Sequence, residues 1–151
     1  MDEKNQNSAS GKVENLQMIQ DNISRMSISS AIFKGFAATI VAGVSALSFS
    51  EVNKWVLLLS FTPILCFAFL DSYYLQLERR FRYLYEQVRL CKFPIDFNLE
   101  PPKVKSINDP NLKQKARLWS CFWSTSICCF YIPMLIISII IVSLKFGGCL
   151  G

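Results

Sequence analysis

A run of 27 residues without a charge, Leu118–Leu144, limits what this chain can fold into more than any other feature. A helix rises about 1.5 Å per residue, so roughly 20 apolar residues cross the hydrocarbon core of a bilayer. Residues 55–70 carry no charge either, and residues 31–50 carry only Lys34. The composition agrees, because 52% of the residues are hydrophobic and 18% are charged. We therefore predict an all-α protein with three transmembrane helices that lie in membrane lipid.

The basic residues are concentrated in two parts of the chain. Ten lie between the second and third spans, four precede or open the first span, and the other two are Lys54 and Lys145. Because positive charge is enriched in cytoplasmic loops, we expect a multi-pass inner-membrane protein whose amino terminus and central segment face the cytoplasm. The first 30 residues lack the pattern of a cleavable signal peptide, so the first span should remain as an anchor. The net charge of +5 fits these topology determinants, and it also fits an anionic lipid or nucleotide partner.

The hydrophobic pattern divides the chain into seven segments. They are a flexible tail (1–11), a cytoplasmic amphipathic helix (12–30), the first span (31–50), a second span continuing into a cytoplasmic helix (54–90), a proline-rich cytoplasmic connection (91–110), a third helix with the third span (111–145) and an external tail (146–151). Apolar residues recur at helical spacing in the amphipathic helix and in the extension of the second span. We expect these two stripes to pack against each other or against neighbouring subunits.

Prolines and tryptophans indicate where helices bend, begin and enter the membrane. Pro63 would remove a backbone hydrogen bond in the second span and bend it. Asp109 and Pro110 are typical of a helix start, so we place the beginning of the third helix there. The indoles of Trp119 and Trp123 suit the membrane interface, where this helix should enter the bilayer.

Small residues fall at every fourth position of the first span, in two registers. The first register is Gly35, Thr39 and Gly43, and the second is Ala38, Ala42 and Ala46. This spacing lets helix backbones approach closely and is a common basis of helix association in membranes. Packing inside one chain would also explain it. Three spans are too few to enclose a pore, however, so we favour a homo-oligomer.

Two charged residues should lie at the cytoplasmic boundary, since Lys34 opens the first span and Asp71 closes the second. Charges at such a depth usually pair or face the protein interior. We predict that they form an ion pair that holds the two helices in register. The alternative, equally open here, is that Lys34 extends to the lipid headgroups and Asp71 meets water.

The chain lacks the residue sets that catalysis or metal binding needs. It has no histidine and no CxxC pair among its six cysteines, and no glycine-rich phosphate loop or GxSxG motif occurs. We therefore expect no enzyme activity, no metal and no cofactor. Ser124 and Thr125, near the start of the third span, are possible pore-lining residues, although such hydroxyls often bond to a carbonyl one turn back.

The best candidate for ligand binding is a group of arginines on the extension of the second span. Arg79, Arg82 and Arg89 share a helical face, and Arg80 lies beside them. Several copies around an axis would form a positive ring that could bind phosphate groups of a nucleotide or filter anions. A solvated, positive-inside helix face is the plainer alternative.

The runs ENLQMIQDNISRM, FKGFAATIVAGVSAL and LDSYYLQLERRFRYLYEQVR resemble those of small bacterial multi-span membrane proteins. Such proteins act as effectors in anti-phage defence operons, beside nucleotide-signal enzymes. The resemblance covers roughly residues 14–90, and it is to proteins such as the Hailong-type effector, a channel partnered with a nucleotidyltransferase. It implies a homo-oligomeric channel in the bacterial inner membrane, opened or held shut by a nucleotide or oligonucleotide signal, that depolarises the infected cell.

Two other functions stay open. A non-conducting membrane anchor would recruit a soluble partner through its cytoplasmic helices and would carry no ion flux. A small transporter is less well supported, because the spans contain no inverted repeat and no charge at the bilayer midplane.

Overall fold

The computed structural model describes residues 2–46, 55, 58–59, 61–92, 97 and 99–147, and of residues 2–9 it describes the backbone alone. Its α-helices are α1 (Asp2–Ala46), α2 (Phe61–Arg89), α3 (Pro110–Lys115), α4 (Leu118–Phe122) and α5 (Thr125–Phe146), with a short 3-10 helix at Val104–Ser106. The described residues contain no β-strand. The predicted all-α class is therefore confirmed.

Helices α1 and α2 form a long antiparallel pair. The Nζ atom of Lys12 lies 3.0 Å from the carbonyl oxygen of Arg89, at the end of α2. Far along α1, the Nζ atom of Lys34 lies 2.9 Å from Oδ2 of Asp71, in the first half of α2. Since the early part of one helix meets the late part of the other, the two run in opposite directions along much of their length.

The charged halves of α1 and α2 meet through an apolar cluster. Its buried members are Ile19, Phe81, Leu84 and Val88, and partly buried side chains such as Leu16, Ile23, Met26 and Leu77 surround them. These residues are the two stripes that the helical spacing singles out. The structure thus packs the stripes against each other within one chain, without a neighbouring subunit. We call this group the hairpin cluster.

The apolar halves of α1 and α2 pack against α5 through a second cluster. Its buried members come in pairs from the three helices: Ala37 and Val41, Ile64 and Ala68, and Ile127 and Tyr131. Alanines at the contact let the helix backbones approach each other, as is usual where helices associate in lipid. The result is a three-helix bundle. The α1–α2 pair continues past the start of α5 at Thr125, toward Lys12 and Arg89.

Two boundaries in the first half of the chain differ from those expected. Helix α1 begins at Asp2, within the segment expected to be a flexible tail; residues 2–10 contain no proline or glycine that would end a helix. Helix α2 begins at Phe61 after a turn at Leu59, and Trp55 and Leu58 before that turn are helical, so the turn interrupts the continuous helix predicted for 54–90. Pro63 consequently lies in the first turn, where its missing N–H leaves no backbone bond unmade, and it need not bend the helix.

The third helix, predicted as one element over 111–145, is three. Helix α3 begins as expected, since Asp109 accepts hydrogen bonds from the backbone N–H groups of Asn111 and Leu112. The helical path then breaks at Arg117 (φ −74°, ψ 141°) and again at Ser124 (φ −69°, ψ 142°), both extended. A side chain of α2, Arg79, bonds to the chain beside both breaks, at Lys115 and Ser124, and local sequence does not reveal these contacts.

Two of the described helices are long and apolar enough to cross a membrane, namely the Ser10–Ala46 part of α1 and the whole of α5. Only 11% and 17% of their apolar windows are buried inside the chain, unlike the core helix of a soluble protein. These helices support membrane association. The second span at 55–70 is described only in part, so the count of three spans stays a prediction. The end of the first span (47–50), the outer loop (51–54), Pro94 and the last four residues of the external tail lie outside the described residues.

Candidate functional site

A buried polar group joins α1, α2 and α5. Asp71 is 1% exposed, and its carboxylate forms an ion pair with Lys34 at 2.9 Å and accepts a hydrogen bond from the hydroxyl of Ser30. Lys34 also donates to Ser30 (2.9 Å) and to Ser126 of α5 (3.4 Å). The structure therefore forms the ion pair expected from the sequence and adds two serines to it. We call these four residues the charged cluster.

The charged cluster matters energetically because its carboxylate has no access to water. A buried pair is not a large net source of stability, since each charge loses its hydration. Removing one partner, however, leaves the other charge buried and uncompensated, which typically costs about 3–5 kcal/mol. The cluster therefore fixes the register of three helices more than it strengthens their packing.

The serines of the charged cluster were not singled out from the sequence. Ser30 lies four residues before Lys34, and that spacing places two side chains on one helix face, so the signal was present. Ser126 lies on another element, and nothing in its local sequence indicates the contact. Tyr131, also on α5, has a buried hydroxyl without a hydrogen-bond partner among the described residues.

Arg79 faces inward and holds the breaks of the third helix. Its guanidinium donates hydrogen bonds to the backbone carbonyl of Lys115 and to Ser124 Oγ at 3.2 Å, and it lies 3.5 Å from Cys121 Sγ. A helix end leaves carbonyls without partners, and this arginine satisfies one of them. Ser124 is thus bonded to Arg79 in the single chain, whereas Thr125, the other possible pore-lining residue, is exposed.

Arg80 anchors the proline-rich connection. Its Nε donates to the carbonyl oxygen of Pro102, and its Nη2 donates to that of Pro101, both at 2.9 Å. Prolines interrupt regular hydrogen bonding, so their carbonyls are available to a side chain. The expectation that Arg80 belongs to a ligand-binding face does not agree with these contacts.

Arg82 and Arg89 are exposed and each pairs with a glutamate of the same helix. Arg82 lies 2.7 Å from Glu78, and Arg89 lies 2.8 Å from Glu86. These pairs are three or four residues apart, as is common on helix surfaces. The four arginines therefore do not form one free positive face: Arg79 and Arg80 hold the chain, and the exposed pair is partly neutralised.

A groove of about 590 Å³ lies between α1 and α2. Its lining is Gln20, Ile23, Ser24, Ser27, Arg82, Tyr85 and Glu86. The volume falls in the range of small-molecule sites, about 300–1,000 Å³. Of the four predicted arginines, Arg82 alone is among the lining residues, beside the hydroxyl groups of Ser24 and Ser27 and the carboxylate of Glu86. The groove could hold a polar ligand with an anionic group next to Arg82.

The small residues of α1 face away from the bundle. A side chain built at Gly35 or Gly43 would meet no other atom within 4 Å. Thr39, Ala42 and Ala46 are exposed and Ala38 is half-buried, whereas α1 contacts the bundle through Ala37 and Val41. Packing inside one chain therefore does not explain the Gly35–Thr39–Gly43 register, which we call the small-residue stripe.

Among the described residues, no group of three or more His, Cys, Asp or Glu side chains is placed to hold a metal ion. The functional candidates are therefore the charged cluster, the α1–α2 groove and the small-residue stripe. In comparisons with known proteins, no family model, curated protein or solved structure matches this chain.

Proposed function

We propose that the chain is one subunit of a homo-oligomeric ion channel in the bacterial inner membrane. The small-residue stripe carries this proposal, because it leaves open space along the exposed side of α1, where a Cβ at Gly35 or Gly43 would meet nothing within 4 Å. Glycines at this spacing allow a second helix backbone to approach. Copies of α1 would then meet around an axis, with the bundle contacts through Ala37 and Val41 unchanged.

The side chains favour α1 over α5 as the helix nearest the axis. The exposed side of α5 is a run of large aliphatic residues that includes Ile132, Ile136, Ile139 and Ile140. Such a surface suits lipid and would not hydrate an ion. The exposed side of α1 also carries large apolar side chains, Ile32, Phe36 and Ile40. Beside them, however, lie Gly35, Gly43 and the hydroxyl of Thr39, which donates to the Gly35 carbonyl. We therefore place α5 toward the lipid.

The α1–α2 groove is the place where we propose that a nucleotide or oligonucleotide signal acts. In this arrangement the groove is cytoplasmic, and a phosphate would bind Arg82 in place of Glu78. The groove contacts both long helices, so an occupant could alter how they pack. The resemblance in residues 14–90 supports such control, with the signal made by an accompanying nucleotidyltransferase and with depolarisation as the outcome of phage infection.

The first experiment is to record membrane potential with a voltage-sensitive dye in bacteria that express this chain alone. We expect depolarisation, which Gly43→Leu should abolish because the added side chain blocks helix approach. Ser143→Leu is the matched control, since it adds a similar side chain at an exposed position of α5. A channel that is closed by default would not depolarise these cells, so current is also recorded from the purified protein in planar bilayers, with and without added oligonucleotides. No current in either condition, with insertion verified, would contradict the proposal.

One observation favours a second function, a non-conducting anchor. The α1–α2 hairpin has its own apolar core in the hairpin cluster, and it carries an open groove that a soluble partner could occupy. An anchor predicts partner recruitment with no ion flux in the bilayer experiment. Current that depends on Gly43 would exclude it.

A further inference from the structure

Helix α4 lies against α2 where the apolar half of α2 gives way to its charged half. On the apolar side, Phe69 of α2 lies with Trp119 and Phe122 in one groove. On the charged side, Arg79 is bonded to the chain on both sides of α4, at Lys115 and Ser124. Phe69 and Arg79 are about 15 Å apart along the helix axis. Helix α4 therefore lies beside the part of α2 where the apolar half changes to the charged half.

Two apolar grooves flank α4. The first, of about 270 Å³, is lined by Phe69, Leu118, Trp119 and Phe122. The second, of about 200 Å³, includes Ile64, Ala68, Phe122, Trp123 and Ile127. Phe122 contributes to both, so the grooves are adjacent. Trp119 and Trp123 are 78% and 69% exposed, which is unusual for so large an apolar side chain outside a membrane interface.

Basic residues come just before α4 in the chain. Lys115 and Arg117 precede α4 and are exposed, and Lys113 lies one turn earlier. Residues 110–146 contain no acidic residue, and Asp109, just before them, accepts hydrogen bonds from the N–H groups of Asn111 and Leu112. Because Arg79 binds the Lys115 carbonyl, the basic segment is held against α2. Two exposed cations thus lie within four residues of Leu118 and Trp119, which line the first groove.

We propose that α4 and its two grooves bind an anionic phospholipid, with the phosphate at Lys115 and Arg117 and the acyl chains in the grooves. Basic sites at the membrane surface recognise anionic lipids in this way. A soluble anion would leave the grooves uncovered, and a zwitterionic lipid would not balance the two cations. A second copy of the chain would bring two basic segments together. The proposal rests on the membrane insertion of α5 proposed above, and not on ion conduction.

The test uses the full chain with Trp55→Phe and Trp123→Phe, so that Trp119 is the one remaining tryptophan of the three. It is reconstituted in phosphatidylcholine vesicles that contain a minor fraction of phosphatidylglycerol, and either lipid is brominated in turn. Bromine quenches the fluorescence of a tryptophan that it contacts. Local binding should enrich brominated phosphatidylglycerol at Trp119 roughly tenfold over its mole fraction. Lys115→Gln with Arg117→Gln should remove this enrichment.

The matched control is Lys103→Gln with Lys105→Gln, which removes the same charge from exposed positions of the preceding segment. Enrichment that survives in this control supports a local site. Enrichment should also survive in Lys115→Arg with Arg117→Lys, which keeps both positive charges at the site. Equal quenching by both lipids, or equal loss in the control, would refute the site. Inorganic phosphate that displaced the lipid would refute it too, by showing a free-anion site. No quenching by either lipid would overturn membrane insertion itself.

Discussion

At the scale of single residues, two ion pairs differ in their roles because they differ in their exposure to water. Lys34 and Asp71 form a pair in which the carboxylate is shielded from water, whereas Arg82 and Glu78 form a pair at the surface. Buried charges are costly when unpaired, and exposed pairs contribute roughly 0–1 kcal/mol. The same type of contact therefore has very different consequences in the two places.

For the charged cluster we expect a non-additive mutant cycle. Asp71→Ala should destabilise the purified protein by about 3–5 kcal/mol, because Lys34 would keep its charge without its partner. Lys34→Ala should cost a similar amount, and the double variant should lose little beyond either single one. Unfolding of the four proteins in one detergent, followed by circular dichroism, gives the comparison. Losses that simply add would contradict the pairing.

For the arginines we expect a clear difference between Arg79 and Arg82. Arg79→Ala should lower the free energy of unfolding by about 2 kcal/mol, because it removes charged hydrogen bonds to Lys115 and Ser124. Arg82→Ala should lower it by no more than about 1 kcal/mol, since its bridge is exposed. The same unfolding assay measures both. If the two variants were equally stable, Arg79 would not hold the third helix.

At the scale of helices, periodicity predicts the packing well and the boundaries less well. The apolar stripes of α1 and α2 were visible in the sequence, since a 3.6-residue period needs no knowledge of the partner. The breaks at Arg117 and Ser124 were not, and the contacts beside them come from Arg79, about 40 residues away in the chain. The arginines differ for a related reason: spacing shows which residues share a helix face, but not which carbonyls or glutamates they contact, and ligand binding by this face stays a prediction.

The hairpin cluster can be tested by removing its most enclosed side chain. Ile19→Ala should lower the free energy of unfolding by about 2–5 kcal/mol, because it leaves a cavity against Phe81 and Val88. The control is Val13→Ala on the same helix, whose side chain is exposed and whose loss should change stability by less than about 0.5 kcal/mol. Protease sensitivity of α1 should rise in the first variant alone. Equal stability of the two variants would show that the hairpin does not depend on this contact.

At the scale of the whole molecule, the single chain leaves much apolar surface outside its bundle. Large exposed side chains occur on α1, on α2 and along α5, and lipid can cover them without further specificity. The small-residue stripe is different. Lipid tails form few additional van der Waals contacts with a face of small residues, whereas a second helix can pack closely along it. Lipid should therefore cover α5 and the α4 grooves, and a second copy should cover α1.

This assignment predicts which substitutions change the mass of the assembly. In mild detergent, light scattering after size-exclusion chromatography should give a multiple of the 17.2 kDa chain. Gly35→Leu and Gly43→Leu should shift the protein toward the monomer, since each adds bulk where nothing else lies within 4 Å. They should leave its unfolding temperature nearly unchanged, because the added side chains do not touch the bundle. Ser143→Leu should keep the assembly intact. A monomeric parent protein, or assembly that survives leucine at both glycines, would remove the stripe as the contact between copies, and with it the main support for a channel formed around α1.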